Sequence, residues 1–150
     1  MVININFERV VQAPLQMVFD YFTRIEELPS LHPKYVKYVK VLNKDDKTIQ
    51  FDQEISFFGK KVRSTNKLTL YRDQGMIEVE VVGGDGLGSK TKMIFIETEG
   101  SPSTTTTHIK LEGELHHGRL ERLFGRSVKG TTEKILDEDV KNIEQKMKKN

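Results

Sequence analysis

Residues 49–81 read IQFDQEISFFGKKVRSTNKLTLYRDQGMIEVEV. Apolar and polar side chains alternate through this stretch, the period of half-buried strands. Placing a two-residue turn at Gly59 and Lys60 sets Phe57 opposite Val62, Ile55 opposite Ser64, Gln53 opposite Asn66, Phe51 opposite Leu68 and Ile49 opposite Leu70. A second turn at Asp73 and Gln74 sets Leu70 opposite Ile77, Leu68 opposite Val79 and Asn66 opposite Val81. The apolar partners all fall on one face, and Gln50, Asp52, Glu54, Arg63, Thr65 and Lys67 fall on the other. A one-residue slip would turn both sets inside out. The stretch therefore specifies an antiparallel meander with one buried face.

The same reading extends outward. Upstream, Ile3, Ile5, Phe7 and Val11 alternate with Asn4, Asn6, Glu8 and Gln12, which predicts a first strand. Pro14 then suits the first turn of a helix, and Leu15, Val18, Phe19 and Phe22 make one apolar helical face. RIEELPSLHP reads as a second short helix closed by Pro29 and Pro33. Strand patterns continue to residue 116, with Met93 and Phe95, then Ile109, Leu111 and Leu115, pointing inward. That choice puts Ile94 and Ile96 outside, a hint of a partner surface. From Gly118 a helical period returns. Its stripe of Leu120, Leu123, Phe124 and Val128 is out of phase with Leu136, Val140, Ile143 and Met147, which predicts a bend or break near Gly130.

Bulk properties narrow the function classes. The length of 150 residues predicts a single domain over residues 1–150. Basic and acidic side chains number 24 and 22, with no basic stripe of the kind nucleic-acid binders carry. Arg119, Arg122, Arg126, Lys129 and the KMKK tail interleave with acids, so they read as a solvated face, with membrane contact at most transient. There is no cysteine, which excludes disulfides and thiolate zinc sites. No apolar run approaches a membrane span, and MVININFERV lacks the apolar region of a signal peptide. A cytoplasmic protein is the expectation.

The order of elements is thus strand, two short helices, six strands and a long helix, an α+β chain. A curved sheet of this length cannot bury its concave face alone, and only the terminal helix can cover it, leaving a space between. This order, together with VVQAPLQMVFDYFTRIEELPSLHP near the start and HHGRLERLFGRSVKG with ILDEDVKNIEQKMKK at the end, resembles the SRPBCC, or START-like, superfamily. The V-x-A-P-x-x-x-V-F stretch from Val11 to Phe19 is the most telling local motif; it ends the first strand and starts the first helix. The resemblance spans essentially the whole chain. It implies a helix-grip fold, a curved seven-stranded antiparallel sheet with two short helices and a long C-terminal helix enclosing a mainly apolar cavity. It also implies that two loops form the cavity mouth, here around Phe58 and Gly59 and around Gly84, Gly86, Leu87 and Gly88. Superfamily members include lipid-transfer domains and polyketide cyclases and dehydrases, so a hydrophobic small molecule or lipid is the expected partner.

Residue by residue, the expected cavity walls are Phe51, Ile55, Leu68, Val79, Met93 and Phe95 from the sheet, Ile109 and Leu111 from its last strand, and Leu120, Phe124 and Val128 from the helix. Gln53, Ser64 and Asn66 are polar exceptions on the inner face, suited either to bonding one another or to holding a ligand head group. VVGGDGLGSKTKM, residues 81–93, nearly matches a phosphate loop, but its Lys arrives one place late and a strand, not a helix, follows. Its glycines are expected to supply positive φ angles in a flexible hairpin. The four histidines show no metal-ligand spacing, and His32 reads as a surface-loop residue. Arg9 and Glu97 share the inward parity near strand ends. No catalytic residue, metal or cofactor is expected. Ligand binding is favoured over a cyclase- or dehydrase-type enzyme, in which His32, Arg9 or a tyrosine would act, and over a protein-interaction module; a weak homodimer is compatible with all of these.

Overall fold

A computed structural model describes residues 2–57, 59–99, 105–116 and 120–149, with residue 57 and residues 120–127 described by their backbone alone. The elements run β1 (Val2–Val11), α1 (Leu15–Phe22), α2 (Leu28–Leu31), β2 (Val36–Lys44), β3 (Thr48–Phe57), β4 (Lys60–Tyr71), β5 (Met76–Gly84), β6 (Lys90–Glu99), β7 (Thr105–His116) and α3 (Leu120–Lys149). The strands form one seven-stranded antiparallel sheet in the order β1-β7-β6-β5-β4-β3-β2.

The register of β4 on β5 follows the alternation: Leu70 faces Ile77, Leu68 faces Val79 and Asn66 faces Val81. Their connection is longer than the expected two-residue turn, a 3-10 turn at Arg72–Gln74 closed by Gly75 in the left-handed conformation. Between β3 and β4 the expected pairing needs correction. Phe57 faces Lys60, Ile55 faces Val62, Gln53 faces Ser64 and Phe51 faces Asn66. The chain reverses one residue earlier than expected, and every pair shifts by two. Because side chains alternate with period two, an even shift leaves each one on its own face. Alternation alone therefore fits both registers.

The helices also depart from expectation in detail. A 3-10 turn, Ile25–Glu27, leads into α2, and Pro29 stands in the first turn of α2 instead of closing it. There Pro is tolerated because the first N–H groups of a helix have no internal partner. α3 runs for 30 residues through Gly130 without the expected break. Gly130 faces open space, and burial of Val128, Leu136 and Ile143 on the other side outweighs the roughly 1 kcal/mol helical deficit of a glycine.

The core fills the space between the inner face of the sheet and the helices. Ile49, Phe51, Leu68, Leu70, Ile77, Phe95 and Ile109 from the strands meet Val18 and Phe19 of α1 and Leu136 and Ile143 of α3. The Phe95 ring packs between Phe19 and Phe22, with centroids 5.8 and 5.7 Å away. Phe95 is buried, and its neighbour Ile96 is 59% exposed on the outer face. Arg9 fastens β1 to α3: its Nε and Nη2 lie 2.6 Å from Asp137 Oδ1 and Glu133 Oε2. Glu97 Oε2 accepts the N–H of Leu15 at 2.7 Å, satisfying one of the free donors at the start of α1.

Candidate functional site

One end of the core is hollow. A pocket of about 310 Å³ lies between the inner face of the sheet and α3. Ile55 of β3, Val62 of β4, Val79 and Val81 of β5, Met93 of β6, Leu111 and Leu115 of β7, Ile5 of β1 and Phe22 of α1 form its apolar surface. α3 contributes Val128, Thr131, Thr132, Ile135, Leu136 and Asp139. A wider depression of about 710 Å³ lies on the opposite face of the sheet, lined by Lys67, Glu78, Glu80, Lys90, Lys92, Glu112 and Glu114 among others. Ion pairs such as Lys92 with Glu112 at 3.2 Å cross it, so it is a solvated charged face and the inner pocket is the candidate site.

Of the expected wall residues, Ile55, Val79, Met93, Leu111 and Val128 line the inner pocket, and so do Gln53, Ser64 and Asn66. Phe51, Leu68, Phe95 and Ile109 instead belong to the solid part of the core; the same inward parity serves both sets. Leu120 and Phe124 lie outside the residues whose side chains are described, as does Phe58 of the first mouth loop. The polar trio is arranged by the corrected register. Ser64 now faces Gln53, and Asn66 Nδ2 donates to Ser64 Oγ at 3.1 Å. Asn66 is 2% exposed, and the Gln53 side chain has no hydrogen-bond partner among the described residues.

The glycine-rich loop reaches the pocket through Asp85, Gly86 and Ser89. Leu87 is exposed to solvent, Gly84 borders a depression on the outer face, and Gly59 and Gly88 line neither. Gly84, Gly86 and Gly88 have φ of 78°, 80° and 93°, so the loop needs their freedom to turn. The loop is also tied down. Asp85 Oδ2 accepts the Arg63 N–H at 3.0 Å, and the Ser89 hydroxyl accepts the His116 N–H at 2.7 Å.

His32 requires the largest correction. It is 1% exposed, held between two carboxylates of α3: Nδ1 is 2.8 Å from Glu138 Oε1, and Nε2 is 2.6 Å from Asp139 Oδ1. The turn after α2 closes over α3 and carries His32 inward. The Tyr21 hydroxyl donates to the same Asp139 Oδ1 at 2.7 Å, and Asn142 Nδ2 donates to the Tyr21 oxygen at 3.1 Å. Burial opposes a charged His32 imidazole, but its hydrogen bonds and attraction to Asp139 and Glu138 prevail and raise its pKa. Burial raises the Asp139 carboxyl, against the pull of His32 and Tyr21. Burial and then Asp139 push the Tyr21 hydroxyl far up, so it stays a donor. Asp139 is both a member of this network and part of the pocket wall. Sequence reasoning missed it although a signal existed: Asp139 stands three residues after Leu136 and four before Ile143, on the apolar stripe of α3. Among the described residues no group of three or more acidic or imidazole side chains is arranged to hold a metal ion, and no helix is long and apolar enough to cross a membrane.

Comparison with known proteins agrees with this architecture. Solved structures superpose over nearly the whole chain at low identity. A Thermus thermophilus protein aligns at 20% identity and a TM-score of 0.73, covering 95% of this chain and 94% of its own. The Zhui aromatase/cyclase of a Streptomyces species aligns at 12% and 0.74, covering 98% and 96%. A START superfamily protein of Mycobacterium smegmatis aligns at 15% and 0.67, covering 97% of each. At such identities the likeness establishes the helix-grip fold alone. A sequence search of curated proteins gave no match. The profile of the family described as polyketide cyclase / dehydrase and lipid transport matches residues 3–148. The chain belongs to that family, within the SRPBCC or START-like superfamily.

Proposed function

We propose that the protein binds or carries a hydrophobic small molecule or lipid in the pocket between its sheet and α3. The observation that carries this reading is the pocket itself: about 310 Å³ of space, mostly walled by aliphatic side chains, with Gln53, Ser64 and Asn66 on one side and Asp139 on the other. Well-packed cores leave few voids larger than a water molecule, whereas ligand sites are apolar hollows with a few placed polar groups. At the roughly 30 Å³ that a water occupies in the liquid, the space takes about ten non-hydrogen atoms. The same reading treats the chain as one domain acting in the cytoplasm, without nucleic acid and touching membranes only transiently. Native mass spectrometry of protein purified gently from its own cells is the test. A co-purified lipid or apolar metabolite supports the reading. No adduct, together with no binding or thermal shift across a broad hydrophobic-ligand screen, refutes it.

One observation favours a second reading, a cyclase- or dehydrase-type enzyme. Asp139, an acid whose pKa burial raises, stands in the pocket wall against His32, and perturbed acids in clefts are candidates for proton transfer. Incubation with β-hydroxyacyl thioesters decides it. Dehydration above the buffer rate that Asp139→Asn removes would support the enzyme, and no turnover at any chain length would set it aside.

A further inference from the structure

Asp139 uses its two carboxylate oxygens unequally. Oδ1 receives both the His32 ring nitrogen at 2.6 Å and the Tyr21 hydroxyl at 2.7 Å. Oδ2 has no hydrogen-bond partner among the described residues, although the residue is only 7% exposed and forms part of the pocket wall. A carboxylate oxygen this buried that finds no protein donor is unfavourable unless water or a ligand in the adjoining space supplies one. Such unsatisfied groups in folded proteins call for an explanation, and this one adjoins a space large enough for a ligand.

We propose that Asp139 Oδ2 selects the ligand, by accepting a hydrogen bond from the hydroxyl group of a neutral, otherwise apolar molecule. The inference rests on the ligand-binding reading and narrows it to hydroxyl-headed compounds. The charges of the described lining disfavour the commonest alternative head group. Its described lining holds two carboxylates, Asp85 and Asp139, and no Lys or Arg. Glu138 stands against the other nitrogen of His32, so the ring is shared between two carboxylates and has no attraction to spare for an anion. A fatty-acid carboxylate would be repelled and would leave Oδ2 unsatisfied. A hydroxyl supplies the missing donor without adding charge. Tyr21 and His32 hold the carboxylate from behind, so the free oxygen is already oriented before the ligand arrives.

The test compares three probes of similar size by titration calorimetry on the full chain: 1-decanol, 1-methoxynonane and decanoate. A hydrogen bond to a charged acceptor gives 1-decanol an advantage of at least about tenfold over 1-methoxynonane, which has the same number of heavy atoms and no donor. Decanoate binds at least about tenfold more weakly than 1-decanol. In Asp139→Asn the amide can donate to alcohol and ether alike, so their ratio falls to within about threefold. Nuclear Overhauser contacts in the unmodified protein locate the head group independently of that variant's folding. The carbinol protons of 1-decanol should reach the methyl groups of Ile135 and Leu136, which line the pocket within about one turn of Asp139. Equal binding of alcohol and ether overturns the inference while leaving ligand binding intact. So does a preference that survives Asp139→Asn, a preference for decanoate, or carbinol contacts confined to the Ser64 side. Failure of all three probes to bind, together with no thermal shift from a wider apolar set, overturns the ligand-binding reading as well.

Discussion

His32, Asp139 and Tyr21 form a buried polar network whose members depend on one another. Removing the imidazole would leave the Asp139 carboxylate without its main counter-charge in a site that water scarcely reaches. We expect His32→Ala to lose about 3–5 kcal/mol in urea unfolding. Replacing both partners by leucine should recover much of that loss, because an apolar pair leaves no charge unpaired. The network also makes stability depend on pH. His32 has a raised pKa in the folded state, so its contribution is whole below about pH 6.5, the unfolded value, and is lost as pH rises through the folded value. Asp139 is raised too, so its own contribution is whole only below about pH 3.9, the unfolded value, and is lost as pH rises through its folded value. The thermal midpoint should therefore fall on going above about pH 6.5, and His32→Asn should flatten that slope. A midpoint that rises over this range would contradict the assigned protonation. The burial of His32 was not visible in the sequence, where it stands between prolines and reads as a loop residue. Burial of a loop side chain depends on what closes over it.

The strands and helices carry sharper constraints at a few backbone positions. Gly113 of β7 pairs with Thr91 of β6, where an added Cβ would collide with the Lys90 carbonyl oxygen and lie 2.6 Å from the Thr91 Cα. Both obstacles are backbone, so the strands must separate to admit a methyl group. Gly113→Ala should cost about 1–3 kcal/mol. Gly130 of α3 is the contrasting case, helical and with nothing near its Cβ position. Gly130→Ala should stabilise the protein by about 0.5–1 kcal/mol. Chemical denaturation of the two variants reads both signs in one experiment. Within the sheet, the inner and outer sets of β3, β4 and β5 were legible from alternation, and so was the β4–β5 register. The β3–β4 register was not, because a two-residue displacement conserves every face.

At the scale of the whole molecule, the pocket makes the protein responsive to what fills it. Val79 lines the pocket and is only partly buried, so Val79→Phe should occupy the hollow and reduce ligand affinity at least about tenfold, with stability changed by less than about 1 kcal/mol. The glycine-rich rim loop provides a second check. If it gates the pocket, its amides should exchange faster than those of β5 and β6 without ligand and slow on binding. Its ties to Arg63 and His116 place any opening at the segment between Asp85 and Ser89. Exchange in that segment as slow as in the strands, with the pocket empty, would refute a gate.

The sequence by itself determined the α+β class, the order of elements, the two faces of the sheet and the superfamily, because each rests on local periodicity or on a pattern of residues along the chain. It also placed Gln53, Ser64 and Asn66 on the inner face, where they line the pocket. Only the tertiary structure decided which inward residues face empty space and which are solid core. Phe51 and Ile55 share a face of β3, yet the first is core and the second is pocket wall. That distinction depends on how far α3 stands from each part of the sheet, and periodicity carries no information about distance. Asp139's place on the apolar stripe of α3 could be read from the sequence, but its junction with His32 and Tyr21 could not. His32 and Asp139 are separated by 107 residues, and nothing local marks them as partners. Their proximity follows from the docking of α1 and the α2 turn on α3, and that docking puts Asp139 in the pocket wall with one carboxylate oxygen lacking a donor among the described residues.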